Sequence, residues 1–212
     1  MLTLYAHPLS SYCWKVLIAL FETGIPFKPA MVNLGDPVER AAYLKLSPFG
    51  KIPAMRDGER TILETSIMIE YLAMTFPQAA GLIPKDPEAA LKVRALDRFY
   101  DLYLNSQLGK VANDRLRPAD QKDPLGLAAA MSDLRCAIGL VEKDMADGGW
   151  AAGTSFTMAD CAAAPALYYV NRLIPYAQAY PNTSRYLERL IKRPAVARAI
   201  EEAAPYAHML PL

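Results

Sequence analysis

"LTLYAHPLSSYCWKVLIALFETG", residues 2–24, decides how the first part of this chain folds. Its opening, "LTLYA" (2–6), reads as a strand. From Ser11 onward the pattern is helical: Val16, Leu17, Leu20 and Phe21 make a core-facing stripe, and Gly24 is a natural C′ stop. Where strand hands over to helix, Ser10, Ser11, Tyr12 and Cys13 stand in a row. Hydroxyl, phenol and thiol are thus gathered at one helix N-terminus.

Working outward, "PFKPAMVNL" contains a second strand near 28–32, and "DPVERAAYLKLSP" a short helix with Asp36 as N-cap and Pro37 at its first position. "IPAMRDGERTILE" reads as two strands joined across Asp57–Gly58, and "TSIMIEYLAMTF" as a closing helix. Strand–helix–strand implies a right-handed parallel crossover; strand–turn–strand adds an antiparallel pair. The expected first domain, residues 1–78, is therefore a four-stranded mixed sheet with helices on its faces.

The proline- and glycine-bearing stretch after it predicts a linker, 79–88, and residues 89–212 read as an all-helical bundle. "EAALKVRALDRFYDLYLNSQLGKVANDRL" is one long helix or two, "LGLAAAMSDLRCAIGLVEKDMAD" another, and helices recur near 158–172, 183–192 and 195–203. In "FTMADC", Thr157 and Asp160 have capping-box spacing, with Phe156 and Cys161 as a hydrophobic staple. This is a structural helix start.

Composition narrows the function classes. Over 212 residues, 53% hydrophobic and 21% charged content with a net charge of +1 suits a globular protein with a large core. Without a Lys/Arg-rich run, nucleic acid is disfavoured as a partner. The N-terminus lacks the basic flank of a secretory signal, and no run of about 18 apolar residues predicts a membrane span. Three widely spaced cysteines, Cys13, Cys136 and Cys161, fit reduced thiols in a cytoplasmic protein. With only His7 and His208 besides, no metal site is expected.

Three stretches in fixed order, "SSYCWKVLIAL" (10–20), "SPFGKIPAM" (47–55) and "LETSIMIEYL" (63–72), resemble the cytosolic glutathione S-transferases, as does "GTSFTMADCAAAPAL" (153–167). The likeness runs over essentially the full chain and is closest to the serine-type bacterial, theta and zeta groups. It implies a thioredoxin-like domain holding glutathione, a helical domain shaping the site of a small hydrophobic electrophile, and a homodimer engaged in detoxification. The activity implied is conjugation of glutathione, bound as its thiolate.

Ser10 matches the family residue that meets the sulfur; its other reading is a plain N-cap. Ser11 sits where its backbone N–H can help orient an anion. The resemblance assigns glutathione's peptide to Lys51, to Ile52 beside a cis Pro53, and to Glu64 and Thr65, with Ser66 assisting. It carries Asp101 to the glutathione amine of a partner subunit. His7, Leu9, Tyr12, Tyr100, Tyr103 and Gln107 are candidates for the electrophile's walls, although Tyr12 and the helix aromatics also suit packing and His7 a backbone-satisfied turn. Cys13 near the helix start offers two readings, a thiolate for thioltransferase or reductase chemistry and a small buried hydrophobe. The run departs from the zeta-type "SSCS" pattern at Tyr12 and Cys13, which weighs against glutathione-dependent isomerisation. A non-catalytic ligand- or partner-binding protein of this fold is the remaining alternative.

Overall fold

The computed structural model describes residues 1–211. Strand β1 (Leu2–Ala6) leads through the turn at residues 7–10 into helix α1 (Ser11–Thr23), which stops at Gly24 with φ of 64°, a left-handed cap that glycine adopts without a Cβ clash. Strand β2 (Phe27–Met31) pairs parallel to β1, with Leu2 opposite Phe27, one residue earlier than the sequence pattern placed it. Helix α2 (Pro37–Leu44) follows, its first turn capped by Asp36. Strands β3 (Ala54–Asp57) and β4 (Arg60–Ile62) are antiparallel, with Asp57 opposite Arg60. The hairpin loop is therefore Gly58–Glu59, and Gly58 takes φ of 56° there.

Sheet order is β2-β1-β3-β4, so β2 lies at an edge. That position tolerates Pro29, which has no N–H to give a further strand. Helix α3 (Thr65–Thr75) closes the domain. Residues 77–82 form a 3₁₀ turn whose Ala79 and Leu82 are buried in the common core, so this part of the expected linker is packed.

The second domain is helical throughout. Helix α4 (Pro87–Phe99) continues without a break through a π-helical segment (Tyr100–Asn105) into α5 (Ser106–Leu116). The long helical pattern is thus one rod with a change of phase. Helix α6 (Pro124–Asp144) is long and apolar enough to cross a membrane, but it packs in the bundle with Ala130, Leu134, Ala137, Ile138 and Val141 on its buried face. Helices α7 (Met158–Val170), α8 (Pro181–Ile191) and α9 (Pro194–Ala203) complete the domain, with Pro181 and Pro194 at first helical positions, where the missing N–H costs nothing.

Helix α7 is nearly all small and apolar, and it packs on α1 at the centre of the molecule. Its start is more elaborate than a simple cap. The Asp160 carboxylate accepts from the Thr157 N–H at 2.9 Å, from the Ala151 N–H at 2.8 Å and from the Tyr186 hydroxyl at 2.6 Å. One buried acid thus ties the preceding loop and α8 to the helix, while burial raises its pKa.

Candidate active site

Ser10 is the N-cap of α1: its Oγ accepts from the Cys13 N–H at 3.3 Å. The cap uses an oxygen lone pair, so the hydroxyl proton remains free to donate. Ser10 also lines a cavity of about 480 Å³ with Leu9, Ser11 and Tyr12. The opposite wall comes from α5 and the C-terminal segment, including Leu108, Leu116 and Leu210. A cavity of about 240 Å³ shares Tyr12 and Ile52 with the first and adds Lys51, Pro53, Glu64, Thr65 and Asp101. The polar cavity and the apolar one thus meet at the turn before α1. A further cavity of about 430 Å³, bounded by Tyr5, Glu39, Tyr43 and Arg56, shares no lining residue with either.

The polar wall is held by its backbone. The Lys51 carbonyl accepts from the Tyr43 hydroxyl at 2.7 Å and from Ser47 at 2.9 Å, which anchors the loop and leaves the lysine side chain exposed. Burial pushes the Tyr43 phenol up to about 12, so it remains a proton donor. The Ile52–Pro53 bond is cis. Glu64 is the only non-glycine among the described residues with positive φ, at 66°, a conformation costing roughly 1–3 kcal/mol and concentrated at functional sites.

Behind this wall lies a buried ionic cluster that sequence reading missed. Lys15 is wholly inaccessible, and its Nζ lies 2.6 Å from Asp97 Oδ1 and 2.6 Å from Asp101 Oδ2. Ser66 donates to Asp97 at 2.5 Å and accepts from Lys15 at 2.9 Å; Arg98 bonds Ser66 and reaches Asp101 at 2.7 Å. Two cations facing two carboxylates balance the charge, as burial demands. The available signal was a lone lysine in the apolar run of α1, with Asp97 and Asp101 at helical i,i+4 spacing to receive it.

This cluster corrects two expectations. The Ser66 hydroxyl is committed to Lys15, Asp97 and Arg98, and Ser66 does not line the cavity. Asp101 turns inward to Lys15 and lines the cavity of its own chain, with only Oδ1 left unpartnered among the described residues. Burial raises its carboxyl pKa despite Lys15 and Arg98.

The helical wall differs more from expectation. Tyr100, Tyr103 and Gln107 line neither cavity. Tyr100 is buried in the core, Tyr103 is 55% exposed, and Gln107 is buried. The π segment is the cause: its extra residue per turn rotates all that follows, bringing Asn105, Leu108, Gly109, Ala112 and Leu116 to the cavity instead. Tyr169 of α7 was also missed; it lines the cavity and donates to the Leu9 carbonyl at 3.1 Å.

The remaining candidates near α1 are resolved by their partners. His7 Nδ1 accepts from the Leu9 N–H at 3.2 Å and its ring meets Tyr206 edge-on, so it serves the turn and lines neither cavity. Tyr12 lines both cavities, and its hydroxyl donates to the Asp101 carbonyl at 3.2 Å. Cys13 is fully buried, and burial pushes its thiol up to about 11. The thiolate reading of Cys13 is thereby overturned: desolvation outweighs the helix N-terminus.

Comparison with known proteins agrees with this architecture. The family model described as the glutathione S-transferase N-terminal domain matches residues 4–80, and that of the C-terminal domain matches residues 89–194. The chain belongs to the glutathione S-transferase family. Glutathione S-transferase GstB of Escherichia coli is 24% identical over 94% of this chain and 98% of its own. A probable maleylacetoacetate isomerase of Caenorhabditis elegans is 27% identical over 95% of this chain and 94% of its own. The crystal structure of a glutathione S-transferase from Methylobacillus flagellatus with glutathione bound superposes with a TM-score of 0.87, at 24% identity, covering 94% of this chain and 98% of that one.

Proposed function

We propose that the protein is a glutathione transferase in which Ser10 holds the glutathione sulfur as a thiolate for attack on a small hydrophobic electrophile. The observation that carries this reading is the Ser10 hydroxyl: it caps α1 with a lone pair, keeps its proton, and faces a cavity adjoining the polar one. Lowering a thiol pKa by about 2 units from its usual ~8.5 requires about 2.7 kcal/mol of preference for the anion. A hydrogen bond to a charged group supplies ~1.5–3 kcal/mol, and a helix N-terminus ~0.3–1 kcal/mol more. One hydroxyl at this position suffices.

The polar cavity suits glutathione's peptide. Lys51 carries a cation for the glycine carboxylate, the Ile52 main chain can pair with the cysteinyl unit, and Glu64 and Thr65 offer an acceptor and a hydroxyl to the γ-glutamyl end. Asp101 Oδ1, buried and unpartnered, offers the amine a second acceptor from the same chain. Ser11 contributes its place at the helix start. Leu9 and Tyr12 wall the electrophile side.

A homodimer belongs to this reading. Ile67 and Met74 of α3, with Leu91, Leu102 and Tyr103 from α4 and the π segment, are large hydrophobics left exposed, as an interface would require. Unpaired cysteines at Cys13, Cys136 and Cys161 support a cytoplasmic location.

Titrating the ultraviolet thiolate absorbance of bound glutathione in the parent, Ser10→Ala and Cys13→Ala tests the mechanism. Matched binding measurements establish occupancy in each. A lowered thiol pKa that rises only in Ser10→Ala supports the proposal. An ordinary pKa in all three would end the transferase mechanism in favour of a glutathione-binding protein without catalysis.

A further inference from the structure

We infer that Asn105 is a specificity-determining residue that hydrogen-bonds the carbonyl oxygen of the electrophile, and that the preferred electrophiles are neutral α,β-unsaturated carbonyl compounds. The inference rests on the transferase reading and names the substrate class for it.

Asn105 lines the apolar cavity together with Ser10, yet it is only 1% exposed and neither Nδ2 nor Oδ1 has a hydrogen-bond partner among the described residues. Buried side-chain amides are nearly always paired, so an orphan beside a ligand cavity marks a group awaiting one. Its position is built rather than incidental. The Asp101 carbonyl accepts the Ser106 N–H in the π-turn and also the Tyr12 hydroxyl at 3.2 Å. Tyr12 thus clasps the turn that rotates Asn105 toward the cavity, and π-turns are frequent at functional sites.

The rest of the lining sets the ligand's chemistry. Besides Asn105 the polar side chains are those of Ser10, Ser11, Tyr12, Asn113 and Tyr169, all uncharged groups, and Tyr169 is already spent on Leu9. With no cation to receive a carboxylate, a neutral and largely apolar electrophile fits, and an anionic isomerase substrate does not.

Among neutral electrophiles, conjugated carbonyls have most to gain from a buried amide donor. The glutathione thiolate forms a C–S bond at the β-carbon, the C=C π pair shifts toward the carbonyl, and the oxygen becomes an enolate that accepts from Asn105 Nδ2. A proton from water then returns to the α-carbon, replacing the one lost when the thiol ionised, so the net result is addition of S–H across C=C. Displacement from an alkyl halide puts its charge on the departing halide and has no such oxygen.

The test compares kcat/KM for benzylideneacetone with that for benzyl chloride, both with glutathione. In the parent protein the ratio should exceed that of free glutathione thiolate in buffer by roughly 10-fold or more, and Asn105→Leu should lower it roughly 10- to 100-fold, the usual effect of losing one donor to a developing oxyanion. Asn105→Ser, which is small and keeps a donor, should recover part of the ratio and serves if the leucine variant does not fold. A parent ratio no higher than in buffer, or a ratio unmoved by substitution, overturns the inference, as it would if the amide merely holds a buried water. Benzyl chloride turnover by the parent separates that failure from failure of the transferase reading. A parent that binds glutathione but turns over neither compound defeats both.

Discussion

The sheet-domain wall of the site and the helical-domain wall are made in different ways. On the sheet side, polar groups are set by the backbone within a few residues: Ser10 by its cap, Lys51 by a carbonyl held between Tyr43 and Ser47, Glu64 by a left-handed φ of 66°. On the helical side, the wall is assembled from α5, α7 and the C-terminal segment, and its facing residues depend on one π-turn in the preceding rod. The first wall can therefore stay constant while the second is altered. This is the division of labour expected of an enzyme that holds one shared substrate and selects another.

The largest effect should come where the two walls are joined. Lys15→Met leaves Asp97 and Asp101 buried with Arg98 alone, and removing one partner of a buried ion pair costs about 3–5 kcal/mol. Urea unfolding should show that loss; a change below 1 kcal/mol would mean the cluster is not a structural clamp between the domains.

Next comes the sheet-side wall by itself. Glu64→Gly removes the carboxylate and also relieves the strained φ, so glutathione affinity should fall roughly 10-fold or more while stability is held or raised. Calorimetric binding alongside thermal unfolding checks both halves. Joint loss of affinity and stability would make Glu64 a structural residue first.

Thr157→Ala tests a position remote from both walls. Loss of this cap should cost about 1 kcal/mol and leave glutathione affinity unchanged. Altered affinity would show that α7 transmits its start to the site through Tyr169.

The smallest effect concerns the helical wall. Gly109 lies in α5 with no atom within 4 Å of where a Cβ would stand, so Gly109→Ala should stabilise by about 0.5–1 kcal/mol. The same methyl group narrows the electrophile cavity, so turnover of bulky electrophiles should fall relative to small ones. Glutathione binding should not move.

The sequence by itself determined the strand–helix order, the four-stranded sheet, the cap at Ser10 and the loop at Lys51, because each is written in contiguous residues with their own turn and capping chemistry. Even there its reach was local: the hairpin loop lay one residue further on, and Ser66 faced the core. Tertiary structure alone decided that Cys13 is inert, that Asp101 turns to Lys15, and that Asn105 rather than Tyr100, Tyr103 or Gln107 meets the cavity. A thiol's reactivity depends on what buries it, a carboxylate's direction on where its cation lies, and a helix face on every turn before it. A single π-turn re-aims the whole of α5, and no periodicity read along an unbroken helical pattern records that rotation.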